Sequence, residues 1–311
     1  MARYFPPPEA YRPGLILQLR ERPEGGGLLA EVLQVPLSDL APRTDMIVLV
    51  HGFNNHYGEA ATAYFGFRSR QRERDPACAN SLESKLGDAF WPGDAAWGIA
   101  DKADFLVYSS AVGTAIEAAE ILASHLAQMP TLRRVNFLGH SLGCRVVLET
   151  VRLLASNHGP HVGNVCLMAA AVPLFKVVRG GELEAAMDHA DQVLILYSEA
   201  DTVLKWAFPA GQTLARGDEG FCPRALGRRE PPPTIAGRST KSKQVNGARH
   251  GDYWGHSETV PARSSIAFVS EFFSLGALSR SVDSREVGEA NTFEARPSSS
   301  KRRGAASVRR I

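Results

Sequence analysis

Long apolar runs are missing from this chain. The most apolar stretch, Val162 to Val178, is broken by Asn164, Pro173 and Lys176, so no segment reaches the length of a membrane span. The opening Met-Ala-Arg-Tyr-Phe-Pro-Pro-Pro has no apolar run of the kind a secretory signal needs. Cysteine is scarce. Cys78, Cys144, Cys166 and Cys222 are the 4 present, and none is spaced as a zinc site or a redox pair. Cys144 falls in the first turn of an expected helix and Cys166 in an expected strand, where each reads as a small buried hydrophobe. These features favour a reducing, cytoplasmic location. Charge of one sign is not in excess either. The formal net charge of +2 speaks against a nucleic-acid surface over the whole molecule. A Gly-rich phosphate loop is absent, and His51, His140, His250 and His256 lack metal-ligand spacing. No cofactor and no metal are expected.

What is present centres on residues 134–154. Val135, Phe137 and Leu138 form a short apolar run that reads as a buried strand. Leu142, Val146 and Glu149 through Leu153 and Leu154 follow helical spacing, with Thr150 and Arg152 on the other face. Between them lies Gly139-x-Ser141-x-Gly143. A sharp turn from strand to helix strains the middle residue, and side chains at the two flanking positions would collide with neighbouring backbone. Strand, turn and helix stand in the order that makes Ser141 a nucleophile raised above a sheet edge, at the positive end of a helix.

The 311 residues fit one large α/β domain or two small ones, and 44% hydrophobic content is enough for a normal core. Residues 1–43 read as a hairpin of two edge strands around Gly25-Gly26-Gly27, packed on the same domain. Met46 to Val50 reads as a central parallel strand. It ends in His51-Gly52-Phe53-Asn54-Asn55, where Gly52 would let the backbone approach a reacting carbonyl and the Phe53 amide would point at it. Residues 58–75 read as a helix with Ala60, Ala61, Tyr64, Phe65 and Phe67 facing in and a run of Arg and Glu facing solvent. Ala89 to Gly93 ends a short strand, stopped by Pro92. Residues 104–128 form one long helix capped by Asp104 and closed by Pro130. Val165 to Ala171 and Val193 to Tyr197 are further buried strands. Residues 207–247 show little periodicity and read as a long loop over the site, with a last strand around Lys243-Gln244-Val245. Ile266, Phe268, Val269, Phe272 and Phe273 make a closing helix. From 277 to 311 the core signals stop, and Arg296, Lys301, Arg302, Arg303, Arg309 and Arg310 mark a disordered basic tail. Strands alternating with helices predict a mostly parallel sheet with helices on both faces. No large helical insertion follows Ala171, so no large cap domain is expected.

A serine hydroxyl needs a base, and only His titrates near neutrality unperturbed. The His needs a carboxylate to fix its tautomer. The expected chain order is Ser, then Asp, then His, each after a strand. Asp201 follows the strand ending near Tyr197, with Glu199 as its rival. Asp188 and Asp191 stand at the wrong end of that strand. The base is His250 or His256, of which His250 is preferred because it follows the last strand sooner.

The segments His51–Asn55 and Gly139–Arg145, with Asp201, resemble the α/β-hydrolase superfamily over about residues 44–275. More narrowly they resemble a bacterial branch of uncharacterised esterase-like serine hydrolases, in which a His closely followed by an aromatic pair, here His250 with Tyr253-Trp254, supplies the base. The resemblance implies the α/β-hydrolase fold with residues 44–276 as the catalytic domain. It implies a Ser141-Asp201-His250 triad, an oxyanion hole of the Phe53 and Leu142 amides, and a small-molecule or lipid-like ester as substrate. Amides, thioesters, acyl transfer to an alcohol, or a non-catalytic binding module are the alternatives.

Overall fold

The computed structural model describes residues 8–23, 26–35, 43–53, 55–76, 84–93, 104–156, 159–215 and 219–275. Asn54, Cys78 and the basic tail from 277, all given a reading above, lie outside the described residues, as does the Asp104 side chain.

The strands are β1 (Ile16–Arg20), β2 (Leu28–Val35), β3 (Asp45–Val50), β4 (Leu86–Phe90), β5 (Arg134–His140), β6 (His161–Met168), β7 (Gln192–Tyr197) and β8 (Thr240–Gln244). They form one 8-stranded sheet in the order β2-β1-β4-β3-β5-β6-β7-β8. The β1–β2 hairpin is antiparallel, and every other neighbouring pair is parallel. The helices are α1 (Tyr57–Arg74), α2 (Asp104–Gln128), α3 (Gly143–Ser156), α4 (Glu184–His189), α5 (Phe208–Thr213) and α6 (Val260–Phe272).

Alternation along the central strands supplies two cores. Met46, Val48 and Val50 of β3 pack with Val135, Phe137 and the inner face of α2 and α3. Ile47 and Leu49 point the other way, toward Tyr64 and Phe67 of α1 and Val269 of α6. Both faces are covered, as the continuous apolar runs require. From β3 the chain runs outward to β4, then crosses back to β5 on the other side of β3. In such sheets the crevice at the carboxyl ends of the strands flanking that reversal is where ligands bind.

Three local expectations are corrected. Arg68, within the charge run of α1, is not solvated: its side chain is 1% exposed and its Nη2 donates to Asp88 of β4 at 2.8 Å. The Tyr11 hydroxyl donates to the same wholly buried carboxylate, and burial together with that carboxylate pushes the Tyr11 phenol far up. Charge in a helix marks a solvent face only when no buried partner awaits it. Thr150 is likewise buried, because α3 is covered by α2 as well as by the sheet, and its hydroxyl donates to the Ala119 carbonyl at 3.5 Å. Finally, residues 207–247 are not a bare loop. A π-helical turn, Val203–Ala207, runs directly into α5 and buries Leu204, Phe208, Gly211 and Gln212.

The Asp88 pairing yields a stability prediction. Asp88→Ala removes a wholly buried carboxylate held by both Arg68 and Tyr11, a change that costs about 3–5 kcal/mol. Urea unfolding of the variant should show that loss, and a loss below about 1 kcal/mol would remove the pair from the stabilising core.

Candidate active site

The turn after β5 carries a strained residue at the crevice. Ser141 has φ of 53°, a left-handed conformation that few non-glycine residues adopt. Its neighbours hold it there. The Ser141 amide donates to the Met168 carbonyl at 3.0 Å, and its carbonyl accepts from Ala171 at 3.1 Å. A Cβ on Gly143 would lie 2.2 Å from the His51 carbonyl oxygen, so only glycine lets α3 start this close to the end of β3. A Cβ on Gly139 would lie 3.2 Å from Cys144 Cα. The first turn of α3 therefore sits against Ser141, with its positive end at the crevice.

Two further strands deliver the other groups. After β7 the chain turns at Ser198, and Asp201 is wholly buried with Oδ1 accepting from the Leu204 amide at 3.0 Å. After β8 comes a loop pinned at its start by Val245 N–H donating to Tyr197 at 2.8 Å. Asp252 closes it, accepting from the Arg249 amide at 2.8 Å. This loop holds His250 with Nδ1 at 2.8 Å from Asp201 Oδ2 and Nε2 at 2.8 Å from Ser141 Oγ. Donation to a carboxylate requires the proton on Nδ1, which leaves the Nε2 lone pair facing the serine hydroxyl. Glu199 is exposed. His256 is exposed too, its backbone set against Gly66 of α1, where a Cβ would meet it at 2.6 Å. The structure thus brings Ser141, Asp201 and His250 together, and leaves Glu199 and His256 outside.

The end of β3 forms the other wall. A Cβ on Gly52 would lie 2.8 Å from Ser141 Cβ. His51, buried and stacked on Trp91, sets Nδ1 2.9 Å from the Gly52 carbonyl while its Nε2 accepts from the Trp91 amide at 3.3 Å. Pinning that carbonyl turns the N–H of the same planar peptide, the Phe53 amide, to the opposite side. Among the described residues, neither the Phe53 nor the Leu142 amide donates to a backbone acceptor. The Phe53 ring meets Tyr108 edge-on at 5.4 Å, and Tyr108 in turn meets Phe208 of α5 at 6.3 Å. Behind them Arg145 of α3 is buried between Glu149, at 2.8 Å, and Glu219, at 3.2 Å, and so ties the segment after α5 to the helix that follows Ser141.

His140 belongs to this site and was not singled out from the sequence, although it lies inside the Gly-His-Ser motif. Its Nε2 stands 2.8 Å from the main-chain carbonyl oxygen of His250. Burial, then the nearby His250, lower its pKa to about 3. The sign for stability follows. Between the free value of 6.5 and about 3 the unfolded chain takes up a proton that the folded one refuses, so stability falls as pH drops through that window. His140→Phe should unfold with a shallower pH slope between about pH 6 and 4 than the parent, as read by thermal melts. Equal slopes would show that His140 does not titrate as its burial dictates.

Residues 36–217 match the model of a family described as "Alpha/beta hydrolase of unknown function (DUF900)". A search of curated proteins finds no match. Among solved structures, carboxyl esterase 2 of the mycorrhizal fungus Tuber melanosporum is 15% identical, with 78% of this chain and 80% of that one covered and a TM-score of 0.40. An esterase of Pyrobaculum calidifontis is 14% identical, with coverages of 76% and 77% and a TM-score of 0.41. An acetyl xylan esterase of Paenibacillus sp. R4 is 12% identical, with coverages of 77% and 78% and a TM-score of 0.38.

Proposed function

This chain belongs to the family of α/β hydrolases of unknown function, and from that premise we propose that it is a serine hydrolase cleaving carboxylic esters through an acyl-enzyme on Ser141. The observation that carries this reading is the unbroken line Asp201–His250–Ser141, both links at 2.8 Å. The motifs at residues 51–55 and 139–145, which resemble those of esterase-like hydrolases, direct it to esters.

In this reading His250 Nε2 takes the Ser141 proton as Oγ bonds to the ester carbonyl carbon. The carbonyl oxygen becomes an oxyanion, held by the Phe53 and Leu142 amides and favoured by the positive end of α3. Asp201 keeps the proton on Nδ1 and stabilises the imidazolium. As the tetrahedral species collapses, the carbon–oxygen bond to the alcohol breaks and His250 gives its proton to that oxygen. Water, deprotonated by His250, then attacks the acyl group and restores Ser141. One amide donor lost from an oxyanion hole typically costs about 3 kcal/mol of transition-state stabilisation.

The substrate is a small-molecule or lipid-like ester, and residues 44–276 form the catalytic unit. Among the described residues no helix is long and apolar enough to cross a membrane. A cytoplasmic location belongs to the same reading, with Cys144, Cys166 and Cys222 as free thiols. The test is reaction of the purified protein with a fluorophosphonate probe, the adduct located by peptide mass, beside turnover of a panel of p-nitrophenyl esters. A stoichiometric adduct on Ser141 with ester turnover is expected. Absence of both would sink the reading.

A further inference from the structure

We propose that His140 is a positioning residue for the base: its ring Nε2–H, donated to the main-chain carbonyl of His250, holds the His250 loop where the imidazole reaches Ser141 and Asp201 at once. The inference rests on the serine-hydrolase reading for its kinetic consequence, and on geometry alone for its structural one.

His250 needs such a hold because it stands in a turn and not on a strand. Its loop lies between Gly247 and Gly255, both in the left-handed region with φ of 72° and 78°. The loop's own backbone bonds are local: Ala248 to Val245 at 3.1 Å and Asp252 to Arg249 at 3.0 Å. They shape the turn, and Tyr253 and Trp254 pack its far end into the core, but none of these contacts joins the His250 main chain to β5. The His140 bond does, linking the last residue of β5 to the residue that carries the base, 110 positions later in the chain. Because His140 is the direct neighbour of Ser141, one imidazole sets the base loop against the nucleophile itself.

The donor has the properties this task requires. His140 is 5% exposed and packed between the His250 ring at 5.1 Å, Tyr253 at 5.9 Å and Trp254 at 6.1 Å. The titratable groups that act on it are His250, Asp201 and His256. A second cation here would oppose the imidazolium that forms on His250, and burial keeps His140 neutral. Its other nitrogen, Nδ1, is buried with no hydrogen-bond partner and faces Gly52, whose Cβ would lie 3.2 Å away. An Nδ1-protonated tautomer would orphan that donor and set the Nε2 lone pair against the His250 carbonyl, so the ring is the Nε2–H form. The same orphaned nitrogen makes His140→Phe a clean test, since it keeps a ring in place and removes one hydrogen bond only.

The experiment compares the parent with His140→Phe and His140→Gln, whose amide nitrogen can stand near the lost Nε2–H. Fluorophosphonate labelling rate, kcat and KM are measured, and the His250 Nδ1–H proton is observed by NMR on protein with isotopically labelled histidine. His140→Phe is expected to lower kcat and the labelling rate by about 100-fold with KM little changed, the scale of a slightly misplaced catalytic group. His140→Gln should recover to within about tenfold of the parent. In His140→Phe the low-field Nδ1–H resonance of His250 should move upfield, because the hydrogen bond to Asp201, 2.8 Å in the parent, loosens. Labelling by His140→Phe within about twofold of the parent, with an unchanged His250 Nδ1–H resonance, would overturn the proposal. So would equal losses in both variants, which would assign the effect to ring shape. A parent that never labels, but whose His250 Nδ1–H resonance still moves in His140→Phe, would sink the hydrolase reading and leave the positioning role standing.

Discussion

Ser141→Ala is expected to lower kcat/KM toward any ester the protein turns over by about a millionfold, the scale of removing the nucleophile of a serine triad. The substitution keeps Cβ and removes Oγ alone. The strained φ of 53° is set by Gly143, Gly139 and the bonds from Met168 and Ala171, none of which involves the hydroxyl. The variant should therefore fold and melt like the parent. What it loses is the group that His250 Nε2 holds at 2.8 Å. The Phe53 and Leu142 amides and His250, proposed as oxyanion hole and base, remain, so activity should stop falling about 1,000- to 10,000-fold above the uncatalysed rate. Kinetics and intact mass after fluorophosphonate treatment read both quantities. A Ser141→Ala protein that still took up the probe stoichiometrically would place the nucleophile elsewhere.

Ser141 was legible because its neighbours leave it few alternatives. A strand former run, two glycines and a helical repeat in that order describe one turn, and the 2.2 Å approach at Gly143 shows why one of the glycines is obligatory. The line of parallel strands was legible for a similar reason: continuous β-branched runs such as Met46–Val50 have few other fates. The buried ions were not legible. Nothing within α1 separates Arg68 from Arg70, Arg72 and Arg74, because its partner Asp88 lies 20 positions away on another element. Arg145 is the same case, paired with Glu219 across 74 positions. α5 escaped notice for a local reason. Pro209 and Gly211 read as breakers, yet the wider π turn just before Pro209, closed by the Phe208 amide donating to the Val203 carbonyl, carries the helix past the proline that lacks an amide. Gly211 lies where a Cβ would strike the Tyr108 ring at 2.7 Å. Its glycine is a packing requirement and not a stop signal.

The two late histidines mark the limit of what order along the chain decides, and they give the second large prediction. His250→Ala should cost about as much as losing the serine, near a millionfold in kcat, because nucleophile and base act as one unit. His256→Ala should leave kcat within about threefold of the parent. Both residues follow β8, so strand order admits either. The turn between them separates them. His250 precedes the 3-10 turn Asp252–Trp254, and Gly255 ends it at φ of 78°. That left-handed residue sends the chain away from the crevice and lays His256 along α1. Tyr253 and Trp254 are buried within the turn and hold it against the core, so the reversal is fixed by packing. Steady-state kinetics on the two variants reads the difference directly. Equal losses would mean that the loop rearranges when substrate binds, and a loss confined to His256→Ala would move the base to His256 and break the Asp201–His250–Ser141 line on which the mechanism stands.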